Sequence, residues 1–113
     1  MALVGCATQG PTLGPLTDIR VLGENARGTD RSACESFAFS DDDARHFFDR
    51  AVVVTPYETN YGYEIFGCTA RGTAVVRGQA VTWEVDRGGT GTVMFSKEFT
   101  FAVADPWRRA MLE

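Results

Sequence analysis

Three thiols, one imidazole and a run of three carboxylates are the groups in this 113-residue chain with most chemistry to offer: Cys6, Cys34, Cys68, His46 and Asp41-Asp42-Asp43. A tetrahedral metal site draws on clustered Cys and His. Here there is no Cys-x-x-Cys and a single histidine, so no metal ligand is assigned. A general base needs a nucleophile and an orienting partner within hydrogen-bond reach. The neighbours of His46 at helical spacing are Asp42 and Arg50, which nominate neither, and a solvated surface imidazole is the favoured reading. A Cys34–His46 dyad would require Cys34 to be reduced. Glu58, Glu64 and Glu84 are the carboxylates that a hydrolase or small-ligand binder would pair with His46, and they would have to converge on one pocket. No residue is nominated as catalytic, and no cofactor is implied.

Two further clusters have structural explanations. Oxygen ligands for calcium are normally spread over a loop of about a dozen residues, so Asp41-Asp42-Asp43 reads better as carboxylates favoured by a helix dipole. Gly88-Gly89-Thr90-Gly91 lacks the Lys and the following helix of a phosphate loop and reads as turn glycine at positive φ.

Cys6 sits in Leu3-Val4-Gly5-Cys6. This segment resembles the lipobox of bacterial lipoproteins, in which cleavage precedes the cysteine and a diacylglycerol is attached to its sulfur. The small Gly5 suits the peptidase and the aliphatic pair lies upstream. A complete signal would place a basic segment and about 7–15 apolar residues before the cut. Only Met1 to Gly5 stand there, which reads as a truncated signal remnant. The Gly- and Pro-rich stretch to Pro15 reads as a polar leash, so residues 1–16 are assigned to remnant and tether. Leu112-Glu113 resembles a purification-tag scar. Several acyl chains would give stable anchoring where one does not. Ala7 is not the Asp that typically retains lipoproteins in the inner membrane, so the resemblance implies the outer membrane, with the chain facing the periplasm. In that oxidising space Cys34 and Cys68 would pair, closing a loop of about 35 residues worth on the order of 4 kcal/mol in the chain-entropy model. Two separate buried thiols are the alternative.

Composition bounds the rest. An apolar content of 44% and a charged content of 23% describe a folded globular chain, and the length allows one domain, assigned to residues 17–111. A net charge of -4 provides no basic footprint for nucleic acid. No run approaches the ~18 apolar residues of a membrane-spanning helix. Lys97 is the only lysine among eleven basic residues, which suggests a GC-rich bacterial genome.

The elements that must position these groups follow from periodicity. Thr17 to Leu22 and Cys34 to Phe39 alternate as strands do. Ser40 is a good N-cap with Asp43 three residues on, and Ala44, Phe47, Phe48 and Ala51 form one apolar stripe, predicting a helix over about 41–51. Val52 to Thr55 is a strand or a helix extension. Strands are expected over Tyr61–Cys68, Thr69–Arg77, Ala80–Asp86, Thr92–Phe95 and Phe99–Val103, with Gly78-Gln79 as a hairpin turn. Pro106 suits the start of a short terminal helix. The fold class is α+β: one helix packed on an antiparallel sheet of four to six strands.

The run from Cys34 to Phe95, with Phe47-Phe48, Cys68, Gly72, Trp83-Glu84-Val85 and Gly88-Gly89-Thr90-Gly91, resembles small lipoproteins of Gram-negative bacteria to which no reaction is attached. Exposed Tyr and Trp are the commonest recognition anchors. Tyr57, Tyr61, Tyr63 and Trp107 are accordingly the candidate interface residues, with Tyr61 and Tyr63 expected on one strand face, though a core role competes for all of them. The functional expectation is an envelope lipoprotein, membrane-held through Cys6, that binds or inhibits a protein partner in the periplasm, as immunity proteins do. A hydrolase or small-ligand-binding domain is the alternative, and a structural accessory of an envelope complex a further one.

Overall fold

Ser40 opens the first helix as its spacing predicts. Its hydroxyl accepts from the Asp43 N–H, and the Asp43 carboxylate accepts from the Ser40 N–H. This reciprocal capping satisfies two donors that a helix start otherwise leaves unpaired. The computed structural model describes residues 11–26, 34, 37–63 and 67–108. The helix, α1, runs Asp41–Arg50 and buries Ala44, Phe47 and Phe48.

It packs on a six-stranded antiparallel sheet. The strands are β1 (Leu16–Ala26), β2 (Val52–Val54), β3 (Cys68–Val76), β4 (Gln79–Asp86), β5 (Thr90–Ser96) and β6 (Phe99–Ala104), in the spatial order β1-β3-β4-β5-β6-β2. The last four form a meander joined by tight turns, as short connections require. A second short helix, α2 (Pro56–Gly62), follows β2, and a 3-10 turn, Pro106–Arg108, follows β6.

Alternation decides which face is buried. Ala70, Ala74 and Val76 of β3, Val81, Trp83 and Val85 of β4, Val93 of β5 and Val103 of β6 join the α1 stripe in one core. Trp83 is its centre. Its ring meets Phe48 edge-on at 5.4 Å and Phe39 at 6.1 Å, and its indole N–H donates to the Thr73 carbonyl at 2.9 Å. Cys34 and Cys68 form a disulfide that ties the connection between β1 and α1 to the start of β3.

Three expectations are corrected. Phe37 to Phe39 is not strand; the two phenyl rings lie 5.9 Å apart over the core. An extended segment laid across a core alternates just as a strand does. Tyr61 does not begin a strand, because α2 extends to Gly62. The signal for that helix lies in Thr55, Pro56 and Glu58, a capping box with proline at the first turn. The hairpin between β3 and β4 turns on Arg77-Gly78, with φ of 51° and 81°, one residue earlier than expected. Two successive positive φ values define the type I′ turn, whose second position favours glycine. Residues 11–16 touch the domain at two places. The Pro11 carbonyl accepts from the Val53 N–H at 2.7 Å, and Leu13 and Leu16 pack against the core.

Both sheet edges are partly blocked. The Val21 N–H of β1 donates to the Asp41 carboxylate at 2.9 Å, and Pro11 caps β2. Such capping protects unpaired strand edges from association.

Candidate functional site

The residues nominated from sequence do not form one cluster. Cys6 lies outside the described residues, as does Glu64. Tyr57 stands 70% exposed on α2, and Trp107 is 76% exposed on the 3-10 turn beyond the far end of β6. Tyr63 is buried, and Tyr61 precedes it in α2 rather than sharing a strand face with it. The two exposed aromatics belong to elements that leave opposite ends of the β2–β6 pairing, in which Val52 meets Ala104 and Val54 meets Ala102.

His46 and Glu84 do not converge. His46 is exposed on α1, which covers the face carrying Trp83 and Val85. Glu84 lies between those two residues in β4 and therefore projects from the opposite face. Glu58 is engaged in the α2 capping box, its carboxylate accepting from the Thr55 N–H at 2.9 Å. The aspartate triplet is likewise accounted for. Asp41 takes the Val21 N–H, Asp42 pairs with Arg45, and Asp43 closes the α1 cap. Gly88 and Gly89 form the β4–β5 turn, where the Gly88 N–H donates to Asp86 and Gly89 has φ of 100°. Among the described residues no three His, Cys, Asp or Glu side chains gather as metal ligands would. No helix of these residues is long and apolar enough to cross a membrane.

Two of the concavities formed by the described residues have buried polar side chains in their walls. The first, of about 250 Å³, lies between α2 and the second face of the sheet, with Pro56, Thr59, Thr69, Glu84, Asp86 and Thr92 in its walls. Cross-strand register builds it: Thr69 stands opposite Asp86, and Glu84 opposite both Arg71 and Thr92. Asp86 holds the floor by accepting the Gly67 N–H at 2.9 Å and the Gly88 N–H at 2.8 Å. The Thr69 hydroxyl is buried there with no hydrogen-bond partner among the described residues. A buried hydroxyl without a partner costs free energy, so this is a place where a polar group from outside would be welcomed. Periodicity alone gives no sign of the cleft, because it assigns no element to residues 56–60 and a strand from Tyr61, where α2 forms.

The second, of about 310 Å³, lies between α1, Phe37, Phe39 and the 3-10 turn. Its wall carries Asp105, only 1% exposed, whose carboxylate accepts from Arg50 Nε at 3.1 Å and Nη2 at 2.7 Å. The other Asp105 oxygen accepts the Trp107 N–H at 3.0 Å. The arrangement fixes the chain after β6 to the end of α1, and its hydrogen bonds are directed inward.

The exposed apolar surface divides between the faces. Leu22 and Met94 lie with threonines on the second face. Phe99 and Phe101, 62% and 38% exposed, share the α1 side of β6. Phe101 packs edge-on against Phe95, their centroids 5.7 Å apart. No protein-family model, curated protein or solved structure matches the chain.

Proposed function

We infer that this chain is a lipid-anchored domain of the bacterial cell envelope, tethered through Cys6 to the outer membrane, which acts by binding a protein partner in the periplasm. The observation that carries this reading is the disulfide between Cys34 and Cys68, which suits an oxidising compartment and leaves Cys6, in its lipobox-like setting, as the one remaining thiol. The exposed Trp107, mounted on a turn that Asp105 and Arg50 hold rigid, is a suitable recognition anchor. Aromatic side chains bury much area for little entropy when their support is fixed.

Two measurements test the reading. Metabolic palmitate labelling with intact-mass analysis of the full-length native product should show acylation that Cys6→Ser abolishes; unacylated protein with reduced thiols would overturn it. A photo-crosslinker at Trp107 should give one defined adduct in envelopes, competed away by unlabelled protein. Diffuse labelling that no competitor removes would argue against a partner at this turn.

A small-ligand-binding reading is favoured by one observation, the buried Thr69 hydroxyl, which has no partner among the described residues, in the α2 cleft with Glu84 and Asp86. A panel of small polyols and amines screened by thermal shift would support it if one raised the melting temperature and lost that effect in Thr69→Val. A flat panel would remove it.

A further inference from the structure

We propose that the end of β6 not covered by β2 is a membrane-contact surface, where Phe99 and Phe101 enter the outer part of a phospholipid bilayer. The proposal rests on the Cys6 tether inferred above.

Distance is the first argument. The Pro11 carbonyl is hydrogen-bonded to Val53 at 2.7 Å, so the chain joins the domain at the β2 edge. Cys6 lies five residues before Pro11, and a fully extended chain of that length spans at most about 18 Å. A lipid on Cys6 therefore keeps the β2 edge close to the bilayer, with little freedom for the domain to stand away. Val53 pairs with Val103, and Phe101 is two residues further along the same strand. Phe101 is thus roughly 10 Å from the tether's point of attachment, given the spacing within and between strands.

The second argument is what this edge presents. β2 pairs only with Val103 and its two neighbours, so Phe99 and Phe101 lie beyond its cover. Phe99 is 62% exposed and projects from the same side as Phe101, which rests on Phe95. Two exposed phenyl rings on one face suit the boundary between headgroups and acyl chains, where Phe side chains bury their area. The adjoining turn carries Lys97 and Glu98, one charge of each sign. Attraction to anionic lipid is therefore weak, and burial of the phenyl rings drives the contact.

The test supplies the anchor chemically, so it does not depend on native acylation. With Cys34 and Cys68 bonded to each other, Cys6 is the only free thiol and can be coupled to a maleimide phospholipid in vesicles. The reporter is Phe99→Trp in a Trp107→Phe background, read by quenching from lipids with brominated acyl chains. The Trp107→Phe parent supplies the signal of buried Trp83. The reporter emission should shift to the blue and fall by roughly half in brominated vesicles, alike at low and high salt. Leu22→Trp, on the opposite side of the sheet, should be unquenched. Quenching of the Phe99→Trp protein no greater than that of the parent overturns the proposal. A blue shift that grows with protein density and is indifferent to bromine also overturns it, because it assigns the patch to a second copy. Failure of palmitate labelling with strong quenching here would refute the native tether while leaving the surface property standing.

Discussion

Trp83 lies against the backbone of Gly72, its partner across β3 and β4: a β-carbon built on that glycine would stand 2.4 Å from Trp83 Cζ2 and 2.0 Å from the Arg20 carbonyl oxygen. The indole thus occupies the space a side chain would take, and β1 closes over the same point. Gly72→Ala should therefore destabilise the protein at the upper end of the about 1–3 kcal/mol typical of overpacking, because one of the clashing atoms is backbone. For a domain of this size each kcal/mol lowers the melting temperature by about 4–8 °C. Thermal unfolding followed by near-ultraviolet circular dichroism of the tryptophan reads the effect; a change under about 0.5 kcal/mol, the scale of an ordinary surface substitution, would show that β1 can yield.

The disulfide joins Cys34 to a Cys68 side chain with no exposed surface, across a sequence separation of 34. Removing it as Cys34→Ala/Cys68→Ala should cost on the order of 4 kcal/mol by loop-closure entropy, since it releases the connection that leads from β1 into α1. Alanine is preferred to serine, which would bury a new hydroxyl at position 68. Urea unfolding of the two proteins gives the difference. A loss below about 1 kcal/mol would mean that this connection is already confined in the unfolded chain.

Much of the fold was legible because short-range rules decided it. Ser40, Asp43 and the stripe of Ala44, Phe47 and Phe48 specify α1 within a dozen residues, and Val81, Trp83 and Val85 specify the buried side of β4. The misreadings arise where one pattern serves two structures. Phe37 and Phe39 alternate because both face the core, whether or not a strand forms. Tyr61 and Tyr63 alternate as a β-face would, while the Thr55–Glu58 capping box that starts α2 is a four-residue signal outside any apolar stripe. The cleft is invisible without α2, which forms its roof. The partner of Arg50 was also unreadable, because Asp105 lies 55 positions away and only the β2–β6 pairing brings it to the end of α1.

Arg50 and Asp105 make a pair of unequal burial, with the arginine side chain 47% exposed and the aspartate 2% exposed. Arg50→Ala would leave a buried carboxylate held, among the described residues, by the Trp107 N–H alone. Removing one partner of a fully buried pair costs about 3–5 kcal/mol; water reaches this arginine, so a loss of about 1–3 kcal/mol is expected. Asp105→Asn should cost less, as it removes the charge while keeping an oxygen for the turn. A double-mutant cycle on Arg50→Ala and Asp105→Asn should give a clear coupling energy. Strict additivity would reduce the contact to packing. Crosslinking through Trp107 should weaken in Arg50→Ala, because the turn it sits on loses its anchor.

The Thr69 hydroxyl offers the sharpest test of the α2 cleft. The residue is 7% exposed and its hydroxyl has no hydrogen-bond partner among the described residues, while valine has nearly the same shape. Losing an unpartnered buried hydroxyl should stabilise the protein, and Thr69→Val is expected to gain about 1 kcal/mol. Thr82→Val, at an exposed site on the same sheet face, should stay within about 0.5 kcal/mol of the parent and controls for the β-propensity of valine. Chemical denaturation of the three proteins decides the matter. A loss at Thr69 in place of a gain would mean that the hydroxyl has a partner in solution, a bound water or a small molecule held between Thr69, Glu84 and Asp86. Extensive dialysis would then separate the two, because only the small molecule can be removed, and the difference between Thr69→Val and the parent would change sign after it.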